Sequence, residues 1–287
     1  MTDHVTTHQA ADDARNEDIL IYLNGQLLPK ERAVVSVYDS GFMLRDGVWE
    51  GSRLYNGTWA LMDEHLNRLF DAAKAVDIDI GMGRNEVVQA LRDTQVAKGM
   101  QSDAHAGLMV TRGMKIRPFQ HPDLSQSGPT FTITMAHTKP SLLMTQDPKL
   151  NSHSKLNCIL ACIAAQKAGA DEALMLDVHG FVNTTNACNF FIVREGAVWT
   201  STGDYCMNGI TRQKVIDLCC AHDIPVFERN FSLVDTYGAQ EAFLTGTFGA
   251  QTPVIEIDGR LIGDGDMGPV TRRIRGLYQD LIAQVCA

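Results

Sequence analysis

The chain has 287 residues, 45% of them hydrophobic, and a net charge of −9 at neutral pH. That length can bury two domains of ordinary size, and the negative balance argues against nucleic acid, whose phosphates recruit basic surfaces. Its seven cysteines are odd in number, show no C-x-x-C spacing and follow no apolar leader, so free thiols in a cytoplasmic protein are expected; no apolar run approaches the roughly 18 residues of a membrane span.

Residues 1–18 are polar throughout and are expected to form a flexible tail. In ILIYLNGQLLP (19–29) two apolar runs flank Asn24-Gly25, a type I′ hairpin signal. AVVSVYDSGFML reads as strand and loop. DEHLNRLFDAAKAVDI (63–78) spaces Leu66, Leu69, Phe70 and Ala73 as a helix, with Asp63 as its N-cap. NEVVQALRDTQVAKG (85–99) predicts a second helix stopped by Gly99. AGLMVTRG and PTFTITMAH read as strands, and TKPSLLMTQDPK, with two prolines, as a linker. The expected division is an N-terminal domain over 19–137, a linker over 138–150 and a C-terminal domain over 151–287.

The second half opens with an alanine-rich helix after Lys155. EALMLD, the hairpin FFIVREGAVWT across Glu195-Gly196, and a helix from TRQKVIDLCCAH into the strand IPVFE come next. EAFLTGT is another strand, TPVIEIDGRLI a hairpin around Asp258-Gly259, and GPVTRRIRGLYQDLI a last helix with Pro269 in its first turn. No Walker loop, G-x-S-x-G elbow or H-E-x-x-H metal motif occurs. Cys158 and Cys162 stand four apart but lack a histidine pair, so they read as buried thiols and no metal is expected.

Lys155 lies in a polar run, NSHSK, just before that helix. A solvated lysine at a helix start accounts for it locally. The alternative is an amine at a pocket floor, its pKa lowered by desolvation and nearby cations, which forms a Schiff base with an aldehyde cofactor. Such a cofactor also needs a phosphate cradle, a partner for its ring nitrogen and an anchor for the substrate carboxylate. His153, just before the lysine, is either a supporting contact or a plain loop histidine.

Motifs in the right order along the chain supply those parts, and they resemble the fold-type IV pyridoxal-phosphate enzymes, the branched-chain and D-amino-acid aminotransferase family. RDGVWEGSRLY (45–55) is similar to G-D-G-V-F-E-G-I-R-x-Y, and DEHLNRL to E-H-L-x-R-L. GFVNTTNACNFFIV stands where the family has G-x-V-x-E-x-x-x-x-N-x-F. NGITRQKVIDL resembles P-G-I-T-R, and EAFLTGTFGAQTPV resembles E-V-F-x-x-G-T-A-x-x-I-x-P-V. The resemblance implies an α/β (α+β) fold of two domains, a smaller N-terminal one and a larger barrel-like C-terminal one, with pyridoxal 5′-phosphate between them. It also implies a homodimer whose partner loops complete each pocket. The implied reaction moves an amino group between an amino acid or amine and a 2-oxo acid, with Lys155 as Schiff-base residue and proton carrier. Arg53 would grip the phosphate with its guanidinium fork. Ile210, Thr211, Gly246 and Thr247 would add amides and hydroxyls, the first two at a helix N-terminus that favours an anion. Arg117, Arg45 and Phe248 would meet the substrate, a solvated loop charge being the alternative for each arginine.

Two departures stand out. Thr184 aligns with the family glutamate that pairs with the pyridine nitrogen, and a hydroxyl cannot hold a pyridinium as a carboxylate does. At roughly 1.4 kcal/mol per tenfold in rate, losing a few kcal/mol slows amino transfer a hundredfold, which keeps a lyase and a non-catalytic cofactor-binding protein as alternatives. The lysine register is also short: Asn157 follows Lys155 by two residues where the family has three or four, leaving Lys149 as a rival. Phe119 stands where the D-amino-acid branch has a histidine, and Cys158 near a branched-chain tyrosine.

Overall fold

The computed structural model describes residues 17–113, 147–247 and 249–287, with Leu44 described by its backbone alone. The segment PTFTITMAH expected as a strand, Arg117, Phe119, Phe248 and most of the expected tail and linker lie outside the described residues.

The N-terminal half begins with the hairpin β1 (Leu20–Leu23) and β2 (Gln26–Pro29). Asn24 at φ +50° and Gly25 at +89° make the left-handed turn that the Asn-Gly pair favours. The expected strand at 33–44 does not form. Asp39 instead accepts from the amide of Gly41 and from the hydroxyl of Thr111, capping the short helix α1 (Ser40–Leu44), while Val34, Val35 and Val37 stay 62–72% exposed. Cap chemistry outweighs β-branched propensity where no strand among the described residues pairs with the run.

The long strand β3 (Gly47–Tyr55) joins β4 (Thr58–Trp59) and β5 (Ala104–Thr111) in an antiparallel sheet of order β4-β3-β5. Its even-numbered side chains, Val48, Glu50, Ser52 and Leu54, all have 0% exposure. Helix α2 (Met62–Ala75) covers that face, packing Leu69, Ala72 and Ala73 onto Val48. Its N-cap is Leu61 in the left-handed region, not Asp63. The chain enters the helix directly from β4, so Asp63 falls in the first turn, where its charge suits the positive end of the helix dipole. Helix α3 (Arg84–Ala97) ends as the sequence predicts, with Gly99 at φ +61°.

The second half contains α4 (Leu156–Lys167), β6 (Leu174–Leu176), β7 (Val182–Thr185), β8 (Asn189–Arg194), β9 (Ala197–Thr200), α5 (Ile210–Ala221) and β10 (Val226–Glu228). There follow α6 (Leu233–Tyr237), β11 (Glu241–Gly246), β12 (Ala250–Val254), the hairpin β13 (Glu256–Ile257) and β14 (Arg260–Leu261), and α7 (Pro269–Val285). The sheet runs β10-β9-β8-β11-β12, with the pair β6-β7 joined to β8 at Thr184–Asn189. It forms no closed barrel among the described residues, a correction to the barrel-like expectation. Two apolar layers cover its faces instead. Phe190, Ile192, Ala242 and Leu244 meet Phe231, Ile257 and Ile262 on one side. Phe191, Val193 and Phe243 meet Val215, Cys219 and Ile274 of α5 and α7 on the other. Strand β8 is buried on both faces, so its sequence reads as a continuous apolar run. The rings of Phe191 and Phe243 stack 4.9 Å apart at its centre.

Helix α7 is fixed by buried Glu241, whose carboxylate accepts from the amides of Val270 at 2.9 Å and Thr271 at 2.7 Å. It joins the two halves: Tyr278, Ile282 and Cys286 pack on Ala60 and Leu61. A 2.9 Å ion pair, Lys214–Glu64, links α5 to α2 beside it.

Replacing Phe243 by alanine removes one ring of the central stack at a site that cannot collapse, so Phe243→Ala is expected to lower unfolding free energy by about 3–5 kcal/mol, read from denaturant midpoints.

Candidate active site

Lys155 follows a segment that extends the first sheet. The amide of Trp49 donates to the carbonyl of Asn151 at 3.1 Å, that of His153 to Gly47 at 3.0 Å, and Ser152 bridges to Val48. The segment thus pairs with the β3 edge that β4 leaves open. His153 lies against Gly47, where a Cβ would stand 2.8 Å from its Nδ1, so a side chain at 47 would push the ring away. Burial lowers the His153 pKa, and its Nε2 is enclosed without a hydrogen-bond partner.

Lys155 is the N-cap residue of α4 and is half-buried. Burial pushes its ammonium pKa down, and the charge of Arg68 adds to that; Cys158 and Glu50 oppose it. Its rival Lys149 is exposed on the turn at 147–150. Cys158, three residues further on in α4, has its thiol pKa raised by burial, in keeping with an inert thiol.

Glu50, near enough to Lys155 for its charge to be felt there, is the centre of a buried network. Arg68 donates from Nε to Oε1 at 2.6 Å and from Nη2 to Oε2 at 2.8 Å, a two-pronged pair. His65 Nδ1 lies 2.8 Å from Oε2, and Asn151 Nδ2 donates to Oε1 at 3.3 Å and to the Trp49 carbonyl at 2.7 Å. Burial by itself raises the Glu50 pKa, but the hydrogen bonds from Arg68 and His65 outweigh it and the net shift is downward. The carboxylate is therefore ionised and only accepts, so the imidazole presents an N–H to it. Sequence reasoning missed this trio. The signal was present, a glutamate on the buried face of a strand and a histidine and arginine three apart on the helix covering it.

A second group gathers around Asn189. Across the sheet Asn189 pairs with Thr184 of β7 and with Thr245 of β11. Its side chain accepts from the amide of Gly209 at 3.2 Å and donates to the carbonyl of Met207 at 2.9 Å, which holds the loop entering α5. Gly209 is the N-cap of α5 and no side chain caps that end, so the amides at Ile210 and Thr211 lack a helical partner at the positive end of the dipole. Gly246 ends β11 and Thr247 follows it. Thr245 Oγ1 and both polar ends of Gln251, its cross-strand partner, are buried without hydrogen bonds. The Thr184 hydroxyl donates to the carbonyl of Cys188 at 2.8 Å, leaving only its lone pairs for another group.

Arg53 is on the odd-numbered face of β3, opposite Glu50, with its guanidinium 3.8 Å from Asp103 and 5.5 Å over the Tyr55 ring. It lines a cavity of ≈ 410 Å³ between the β3–β4 turn and α7, and Tyr278 lines the same cavity. Tyr278 hydrogen-bonds Thr211 in the first turn of α5 and feels the charge of Arg53. One tyrosine thus connects the arginine of the first half to the helix terminus of the second. Arg45 is the exposed C-cap residue of α1. Arg212 of the Ile-Thr-Arg motif is spent on structure, donating to the Ser201 carbonyl and to Glu228 at 2.7 Å each.

No cluster of metal-ligating residues occurs among the described residues, and the seven cysteines are free. The guanidinium of Arg53 facing a cavity, the uncapped α5 end and the unpartnered Thr245 hydroxyl suit a phosphate, and the desolvated Lys155 suits an aldehyde. The residues present therefore fit a phosphorylated aldehyde cofactor.

The folded-state pKa of Glu50 lies below its ordinary 4.5, so its stabilisation is complete above that pH and is lost as pH falls through the lowered value. Glu50→Gln leaves the half-buried Arg68 without its counter-charge. It is expected to cost about 3–5 kcal/mol at neutral pH and to remove part of the acid-dependent loss of stability, as measured by urea unfolding across pH.

Residues 47–257 match the family model for amino-transferase class IV. Branched-chain-amino-acid aminotransferase-like protein 1 of Arabidopsis thaliana is 39% identical over 93% of this chain, which spans about half (51%) of that relative's length. D-alanine aminotransferase of Listeria innocua is 32% identical, with 93% of this chain and 97% of the relative aligned. Among solved structures, the branched-chain aminotransferase of the archaeon Thermoproteus uzoniensis with norvaline superposes with a TM-score of 0.73 at 26% identity, covering 93% of this chain and 96% of that one. The T.th. branched-chain amino acid aminotransferase with pyridoxamine 5′-phosphate superposes with a TM-score of 0.80 at 27% identity, covering 94% and 95%. The fold, the desolvated lysine and the family match agree, and the chain belongs to the class IV aminotransferases.

Proposed function

We propose that the protein is a pyridoxal-phosphate-dependent aminotransferase that moves an amino group between an amino acid or amine and a 2-oxo acid. The observation that carries this reading is the half-buried Lys155 amine, whose pKa is lowered by burial and by Arg68. When bound, the cofactor supplies an electrophilic aldehyde carbon and an electron-accepting ring. Lys155 Nζ, more readily neutral than an ordinary lysine, takes up the proton lost from the donor's Cα and gives it back. Arg53, the amides at Ile210 and Thr211, and Gly246 with Thr247 hold the phosphate; the link from Arg53 through Tyr278 to Thr211 supports this grouping. Thr184 would stand by the ring nitrogen; because its proton goes to the Cys188 carbonyl, its hydroxyl would be free to accept there rather than to donate. Arg45, Arg117 and Phe248 are assigned to the substrate, and residues 19–137 and 151–287 to two domains joined by 138–150.

The assembly we infer is a homodimer. Helix α4 leaves Leu156, Ile159, Leu160 and Ile163 exposed by 42–58%, spaced as one helical stripe. A second copy would bury it. No helix of the described residues is long and apolar enough to cross a membrane. The free thiols fit a reducing cytoplasm.

Borohydride reduction of the cofactor-loaded protein followed by peptide mapping should label Lys155, and a label on Lys149, or none, overturns the assignment. Loaded protein exposed in turn to D-amino acids, L-amino acids and (R)-amines should convert to the pyridoxamine form with one class. Release of ammonia without conversion would instead mark a lyase. In the protein stripped of cofactor, condensation of Lys155 with pyridoxal should rise with pH about a midpoint below the ordinary lysine value of 10.5. Leu160→Glu should shift light-scattering mass from dimer to monomer.

A further inference from the structure

The cavity between the β3–β4 turn and α7 is walled from three directions by residues tied to the proposed phosphate cradle. Arg53 reaches it from β3. Ala250 reaches it from β12, where it pairs across the strands with Gly246. Tyr278 reaches it from α7 and hydrogen-bonds Thr211. Its ≈ 410 Å³ is within the usual range for a small-molecule site.

Helix α7 also brings a second guanidinium to this cavity, Arg275, three residues before Tyr278. No aspartate or glutamate is among the lining residues. Asp103 stands 3.8 Å from Arg53 but its side chain is 67% exposed, so water and salt screen that pair. The Arg275 side chain makes no hydrogen bond or ion pair among the described residues. Two like charges sharing a cavity repel each other unless an anion lies between them. A phosphate ester carries about −1.5 to −2 charges at neutral pH, more than one arginine neutralises. Ala250, which lines the same cavity, is held at φ +51°, a left-handed conformation that costs a non-glycine residue of order 1 kcal/mol or more and tends to persist at ligand sites.

We propose that Arg275 is a further phosphate-binding residue, which meets the cofactor's phosphate from the α7 side while Arg53 meets it from β3. The inference rests on the cradle reading given under the proposed function. It adds to it a second cation, on the helix that also holds the two halves together.

The test is equilibrium binding to the full chain stripped of cofactor, followed by absorbance, with pyridoxal phosphate and separately with pyridoxal, which lacks the phosphate. Arg275→Gln should weaken pyridoxal phosphate at least roughly tenfold, the scale of one lost charge-assisted fork, and leave pyridoxal unchanged. Arg275→Lys, which keeps the charge without the fork, should fall between. Arg53→Gln should likewise weaken pyridoxal phosphate selectively, and thermal unfolding checks that each variant folds. If Arg53→Gln has the selective effect and Arg275→Gln does not, the role given to Arg275 is overturned while the cradle stands. If neither variant discriminates the two aldehydes, the cradle reading falls and Arg275 falls with it. Equal weakening of both aldehydes by Arg275→Gln also overturns the proposal, because a lost structural contact would not sense the phosphate.

Discussion

The buried ionic contact between Glu50 and Arg68 is the constraint on which the site depends. A carboxylate with no exposure to water is tolerated only when its lone pairs are filled, and here Arg68, His65 and Asn151 fill them. The partners come from separate parts of the chain: the strand carries the acid, α2 carries two donors, and the segment leading to Lys155 carries the third. Satisfying one charge therefore fixes strand, helix and lysine segment together. The same contact spends the Arg68 fork on structure, and the guanidinium that lines the cavity is the one on the other face of β3, that of Arg53.

Much of the framework is legible in the amino-acid sequence because period and punctuation agree. Asn24-Gly25, Glu195-Gly196 and Asp258-Gly259 each turn a hairpin, and each of these residues takes positive φ. Pro269 opens α7 as its fixed φ favours. The failures also have physical causes. Val34, Val35 and Val37 have strand propensity, but no strand among the described residues pairs with that run, and Asp39 decides the local structure. Helix α6 is only five residues long, too short for periodicity to reveal, although its capping box, Ser232 with Asp235, is written in the sequence.

The site is legible to a different depth. Lys155 could be singled out because the surrounding motifs ask for an amine, and Arg53 because its motif asks for a cation. Glu50, three positions from Arg53, was invisible: a charged residue in a strand pattern reads as solvent-facing until the helix that buries it is known. Arg275 was invisible too, because α7 carries several arginines at its start and only the packing of Tyr278 tells which one turns inward.

Lys155 belongs by sequence to the second half of the molecule but by hydrogen bonding to the first, through Asn151 and His153 on the open edge of β3. Any opening between the halves would therefore carry the amine away together with Arg53, and would leave Thr184, Thr247 and the α5 terminus behind. On the assignment proposed above, the seam between the halves would run through the middle of the phosphate cradle. Tightening or loosening α7 against Ala60 and Leu61 would tune turnover without altering a single reacting atom.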